Sequence, residues 1–240
     1  MTTGLSQGHL QANLVIWRAD WADEFSAFCA ANPKPCPLMA QSTAGDPSLP
    51  TLEHDIDVRT DLPHYRVFHD GVQTSEETNI SAHWRDDLVA FALGCSYSFE
   101  AALLDAGVPI RHIEQGKKVC TYRTGIDTVP AGRFHGKMVV SMRNFTTGNA
   151  IRAIEITSRF PRVHGAPIHF GVPSAIGFVD IDKPEFGGDP DIRPGETPLF
   201  WACGVTPQTV IEDVKPPFCI THKAGHMLIT DRLNKEFRAN

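Results

Sequence analysis

The 240 residues contain no block of lysine and arginine, and acids and bases are interspersed at a net charge of −6. A nucleic-acid surface is therefore not expected. The longest apolar run, LVAFAL at residues 88–93, is far shorter than the roughly 20 residues a membrane-spanning helix needs. The opening MTTGLSQGHLQANLVIW has neither a basic leader nor a long apolar segment, so no export signal is read there. No two cysteines stand at C-x-x-C spacing. Cys29, Cys36, Cys95, Cys120, Cys203 and Cys219 are too sparse for a secreted disulfide scaffold and are read as reduced, mostly buried thiols. These absences predict a cytoplasmic chain that binds neither nucleic acid nor membrane. Nothing in the sequence indicates a homo-oligomer.

What is present is ordinary for a folded domain: 42% hydrophobic and 21% charged residues. The length suits one large domain or two modest ones. With 18 prolines and 19 glycines, short elements and ordered loops are expected in place of long helices.

Gln11–Trp17 reads as a strand. Asp20 is the expected cap of a helix that sets Trp21, Phe25 and Phe28 on one face and stops at Pro33. His64–Phe68 reads as a strand entering the Asp70-Gly71 turn. For AHWRDDLVAFAL a helix capped by Ser81 is expected, although Leu88–Leu93 also fits a buried strand. In LGCSYSFEAALLDAG, Ser96 or Ser98 caps a helix whose apolar face is Phe99, Ala102, Leu103 and Ala106. Residues 115–136 are expected to be irregular. A β-α-β-α-β unit follows over residues 136–183, with KMVVSMR, APIHFG and VDI as its strands. TPLFWACG is a strand, Thr206 and Pro207 open a helix, and FCITH and HMLITD are read as a hairpin closed by KAG.

FALGCSYSFEAALLDAGVPI and FWACGVTPQTVIEDVKPPFCI share one order: apolar run, glycine, hydroxyl residue, helix, proline, apolar residue. This is either an internal duplication or simply the commonest way into a helix.

Together QANLVI, NPKPCPL, RTDLPHYRVF, WRDDLVAFALGCSYSFEAALLDAG, EITSRFPRVHGAPIHFG and FWACGVTPQTVI…KPPFCITHKAGHMLITD resemble the bacterial hydro-lyase family that is grouped with D-glutamate cyclase. The resemblance runs from about Gly8 to Asp231. It implies a two-part mixed α/β fold, a larger discontinuous α/β domain interrupted by a small α/β domain. In these terms residues 1–135 and 190–240 form the larger domain and 136–189 the insert. It also implies closure of glutamate to 5-oxoproline with loss of water. Members usually carry a longer segment before QANL, so an N-terminal packing element is expected to be missing.

Such a ring closure needs a base for the amine, positive dipoles for the oxyanion, an acid for the leaving oxygen and an anchor for the α-carboxylate. No metal or organic cofactor is required. The helix mouths at Ser98 and Pro207 offer free N–H groups, and Ser96, Ser98 and Thr206 add hydroxyls. Arg123 and Arg143 are candidate anchors. His164, His169, His222 and His226 are candidate acid/base groups, histidine being the residue type suited to proton transfer near neutral pH, with His164, His222 and His226 preferred and Cys95 as a candidate nucleophile. Each residue has a plainer structural reading: caps for Ser98 and Thr206, an inert thiol for Cys95, a brace or ion pair for the arginines, carbonyl-bonded histidines. Two alternatives stand beside the lyase: a non-catalytic protein that binds a carboxylate metabolite, and a metal-dependent lyase using Cys219, His222 and His226.

Overall fold

The computed structural model describes residues 1–239. Two antiparallel sheets make a mixed α/β fold, and the strands of the smaller sheet fall within the sequence of the larger. The larger sheet has the order β2-β5-β1-β10-β3-β4, formed by Leu38–Gln41, Leu88–Gly94, His9–Arg18, Cys219–His222, Tyr65–His69 and Val72–Glu77; β11 (Leu228–Leu233) also pairs with β1. The smaller has the order β6-β7-β9-β8, formed by Cys120–Asp127, Lys137–Thr146, Glu196–Ala202 and His169–Phe170. Among the described residues, no helix is long and apolar enough to cross a membrane.

β1 and β5 lie at the centre of the larger sheet with both faces covered. Leu14, Ile16, Leu88, Ala90 and Ala92 face one core; Val15, Trp17, Val89, Phe91 and Leu93 face the other. The second core is aromatic. Helix α1 (Ala19–Ala31) brings Phe25 to 4.9 Å from Phe91, and Phe134 stands 4.9 Å edge-on from Trp17. The first core is closed by Phe99 and Leu103 of α2 (Tyr97–Asp105), Ala150 and Ala153 of α4 (Thr147–Ser158), and Trp201 of β9. Between α2 and β6 lies a single helical turn, α3 (Arg111–Glu114).

The expected helix over AHWRDDLVAFAL is corrected: only Ser81–His83 is helical, as one 3-10 turn, and Leu88–Gly94 is a strand. A strand buried on both faces shows no alternation of polar and apolar residues, so a continuous apolar run carries no period to read. Residues 115–136, expected to be irregular, contain β6. VDI at residues 179–181 is not a strand. FCITH and HMLITD do not form a hairpin. Both run antiparallel to β1, with Thr221 opposite Val15 and Leu228 opposite Ala12, so β10 and β11 follow one line along β1, parted by residues 223–227.

The echo between the two helix entries is a repeat in three dimensions. In the larger sheet β2-β5-β1-β10 lie side by side; in the smaller, β8-β9-β7-β6. Each series takes three strands from one half, β1, β2 and β5 or β7, β8 and β9, plus a strand exchanged from the other half; in the first half β3 and β4 are added between β2 and β5 along the chain. β10, which follows α5 (Thr206–Val214), pairs with β1, whereas β6, which follows α2 and α3, pairs with β7. Details agree. Ser98 N–H donates to Cys95 O (3.1 Å) and Thr206 N–H to Cys203 O (3.0 Å). The Ser98 hydroxyl accepts from Gln11 N–H at 2.9 Å, and that of Thr206 from Val139 N–H at 3.1 Å. Cys95 therefore corresponds to Cys203, and the two helix mouths are equivalent.

Candidate active site

The two mouths converge on one cavity of about 130 Å³. That is small beside the roughly 300–1,000 Å³ of drug-sized ligand sites and suits a compact metabolite. Cys95, Ser96 and Tyr97 line it from the start of α2, and Cys203 and Val205 from the start of α5. Asn13 of β1 sits between the mouths, and Arg66 of β3 and Lys118, just before β6, bring positive charge. Phe186 and Gly187 cover one side. Ala224, Gly225 and Met227, from the bulge between β10 and β11, cover another. Thr2 is stapled to this bulge: its N–H donates to Gly225 O (2.8 Å), and its hydroxyl accepts from Met227 N–H (3.1 Å).

The charge pattern is one-sided. No Asp or Glu lines the cavity among the described residues. Arg66 and Lys223 share Glu76 outside it, at 3.1 and 2.5 Å. Lys118 has no such partner among the described residues. Burial, reinforced by the neighbouring Lys223 and Arg66 charges, holds its pKa below the ordinary lysine range. Two cations and the positive ends of two helix dipoles thus face the same space, the arrangement that attracts carboxylates.

Of the sequence-predicted residues, the cavity collects Cys95 and Ser96. Burial pushes the Cys95 thiol up, more strongly than the Tyr97 N–H that faces it pulls it down, so the thiol stays protonated. The Ser96 hydroxyl accepts from Arg143 Nη2 at 3.0 Å. Neither Ser98 nor Thr206 offers a free hydroxyl: each takes a strand N–H and donates to a carbonyl, Ser98 to Gln11 O (3.2 Å) and Thr206 to Cys203 O (2.7 Å). The helix-cap positions are Ser96 and Val205, and neither side chain caps.

Arg143 is buried beneath the site. Its Nε donates to Glu100 Oε1 at 2.9 Å, its Nη2 pairs with the same oxygen, and its Nη1 donates to Ser141 Oγ at 3.1 Å. Its charge is matched inside the protein, and it acts on the cavity through Ser96. Arg123 lies elsewhere, paired with Glu212 of α5 at 2.5 Å and near Glu185.

The histidines do not line the cavity. His164 is fully buried and engages Lys34 O through Nδ1 at 2.7 Å; burial takes its pKa down to about 4. His222 approaches the backbone of Leu14 with Nδ1, and burial again takes its pKa down to about 4. His226 lies between two lining residues, but its ring meets His64 edge-on at 4.9 Å. His169 lies on β8 and engages Val172 O at 2.9 Å. The metal-site alternative is corrected. Cys219 packs in the aromatic core, and no group of three metal-binding side chains assembles among the described residues.

Asn13, Arg66 and Lys118 were missed by sequence reasoning. An amide inside the apolar strand QANLVIW is the signal for Asn13. Nothing local marks Arg66 or Lys118, which reach the cavity only through sheet order.

Comparison with known proteins agrees with these blocks. The family model described as D-glutamate cyclase matches residues 89–231. A Bordetella petrii protein bearing the name "Putative hydro-lyase" is 60% identical over 97% of this chain and 88% of that protein. One of the same name from Verminephrobacter eiseniae is 58% identical over 98% of this chain and 86% of that protein. Another, from Rhodopseudomonas palustris, is 56% identical over the same shares, 98% and 86%. A solved nitrogen repressor-like protein from Methanococcus jannaschii aligns with a TM-score of 0.44 at 9% identity, over 93% of this chain and 86% of that one. The matched model and these full-length relatives place the chain in the D-glutamate cyclase family.

Proposed function

We propose that the chain is a cofactor-independent hydro-lyase acting on a small amino dicarboxylate, with D-glutamate closing to 5-oxo-D-proline as the reaction it fits best. The observation that carries this reading is the joint approach of Arg66, Lys118 and two helix mouths to a cavity with no acidic wall residue among the described residues. In this reading Arg66 anchors the α-carboxylate, and the γ-carboxylate sits against the helix mouths. Lys118, whose pKa burial lowers, takes a proton from the substrate ammonium when it is in its neutral form. The freed nitrogen attacks the γ-carbon and forms the C–N bond. The adduct then breaks one C–O bond. Both protons lost by nitrogen end on that oxygen, which departs as water. Charge and atoms balance with no other reactant.

The test is to incubate the full chain with D- and L-glutamate and follow 5-oxoproline by chiral chromatography, with Lys118→Met as the control. Enantioselective product formation absent from the control is expected. No turnover of either enantiomer sinks the glutamate assignment; ligand-induced stabilisation without product would reassign the cavity to carboxylate binding alone.

A further inference from the structure

We infer that Asn13 receives the substrate's amino group through Oδ1 and selects for ligands that carry one. The inference rests on reading the cavity as an amino-dicarboxylate site. It stands on the orientation of one buried amide.

Asn13 is 3% exposed and projects from β1 between the two helix mouths. Its amide orientation is forced. Two carbonyls face one end, Gly94 O at 2.7 Å and Leu93 O at 3.5 Å, so that end must be the NH₂ group. The oxygen is then turned away from them. Among the described residues no protein donor reaches it. The side chain is buried, yet its oxygen is not sealed off from solvent: it lies on the wall of a cavity, open to a ligand.

The amide is also held from behind. A Cβ on Gly204 would stand 1.9 Å from Asn13 Nδ2, so the α5 mouth approaches the amide as closely as only glycine permits. The repeat sharpens the point. By strand register the counterpart of Asn13 in the second half is Ser141, whose hydroxyl is bound to Arg143. The two halves are equivalent in backbone but differ here, and only the first presents a free acceptor.

The chemistry follows from what the wall lacks. An amine entering beside Arg66 and Lys118 meets no wall carboxylate among the described residues, so no acidic side chain there holds it in its charged form. A neutral carbonyl acceptor hydrogen-bonds an ammonium or a free amine alike. It can therefore hold the nitrogen before and after its proton leaves, with the lone pair free to attack. A carboxylate at this position would hold the ammonium and slow the reaction.

The experiment measures binding of D-glutamate and of glutarate, the same diacid without its amine, to the full chain by calorimetry. Wild type should bind D-glutamate at least tenfold more tightly than glutarate. Asn13→Ala should abolish the preference and leave glutarate affinity unchanged. Gly204→Ala, which displaces the amide without altering its chemistry, should shrink the preference and serves if Asn13→Ala does not fold. Asn13→Asp should move the rate limb that reports amine deprotonation to higher pH. Equal weakening of both ligands in the variants would make Asn13 structural and overturn the inference. So would a wild type that binds both ligands equally, a result that leaves the carboxylate site standing. Failure to bind either ligand would remove the site reading itself, and the role of Asn13 with it.

Discussion

Glu100 and Arg143 form an ion pair with side chains only 4% and 2% exposed, and His112 lies 3.0 Å from the same Glu100 oxygen. The pair links α2 to β7 across the join of the two halves. Removing one partner leaves an unmatched buried charge or its desolvated counterpart. Glu100→Gln or Arg143→Met should each cost about 3–5 kcal/mol in urea unfolding. The double variant Glu100→Gln/Arg143→Met should cost less than the sum of its two singles. A single-variant loss below about 1 kcal/mol would mean the pair is not closed in solution. Burial alone would raise the Glu100 pKa, but His112 and Arg143 outweigh it and hold the carboxyl below its ordinary value. Its stabilisation is therefore present above the ordinary carboxylate pKa and fades as pH falls through the lower folded value.

His222 and His164 have the opposite dependence on charge. Burial lowers each from 6.5 to about 4. Such a histidine is neutral in the fold and readily charged once unfolded. Stability is complete above pH 6.5, falls as pH drops toward 4, and then levels off. The loss should approach about 3 kcal/mol per histidine. Denaturant titrations from pH 7.5 down to 4 measure it, and His222→Gln should flatten the curve by one histidine's share.

Cys95→Ala should keep activity within about tenfold of wild type, because a thiol pushed up by burial is a poor nucleophile. Loss of activity by about three orders of magnitude or more, or a trapped thioester in the intact mass, would restore a covalent route.

Arg66 and Lys118 should separate in kinetics. Arg66→Ala removes an anchor used in ground and transition states alike, so KM should rise roughly ten- to hundredfold with kcat little changed. Lys118→Met removes the proton carrier, so kcat should fall by about 10²–10⁴. In wild type, kcat/KM should rise with pH along a limb below the ordinary lysine range, since the neutral amine is the base. Lys118→Met should lose that limb.

Gly94→Ala should destabilise the fold by about 1–3 kcal/mol, because the added methyl would stand 2.1 Å from Arg162 O, a backbone atom of the 3-10 turn Pro161–Val163 that cannot swing aside. A melting temperature unchanged by this substitution would show that the turn yields.

Local features were legible in the sequence. The face of α1 carrying Trp21, Phe25 and Phe28, the helices after Ser96 and Val205, and the shared order of the two helix entries all follow from short-range pattern. So did the family. What was not legible depends on pairing at long range. Leu88–Leu93 has no period because both its faces are covered. Cys219–His222 and Leu228–Leu233 look like hairpin arms until β1 is placed beside both. The site suffered most. Arg143 stood open between an anchor and an ion pair, and only the fold supplies Glu100 as the partner, because nothing near it in sequence reveals that residue. The histidines looked titratable because burial cannot be read from one residue. Arg66 and Lys118 enter the cavity only once β3 and β6 have found their separate sheets.

The line that β10 and β11 draw along β1 also orders the birth of the molecule. Gln11 finds Ile229, and Val15 finds Thr221, across nearly the whole chain. During synthesis β1 therefore emerges before its partners and waits, one hydrogen-bonding edge open, until β10 and β11 leave the ribosome. The bulge that closes the cavity lies within that last segment. Binding competence and completion of the sheet should arrive in one late event, and the chain should fold slowly for its size, as topologies dominated by distant pairings do.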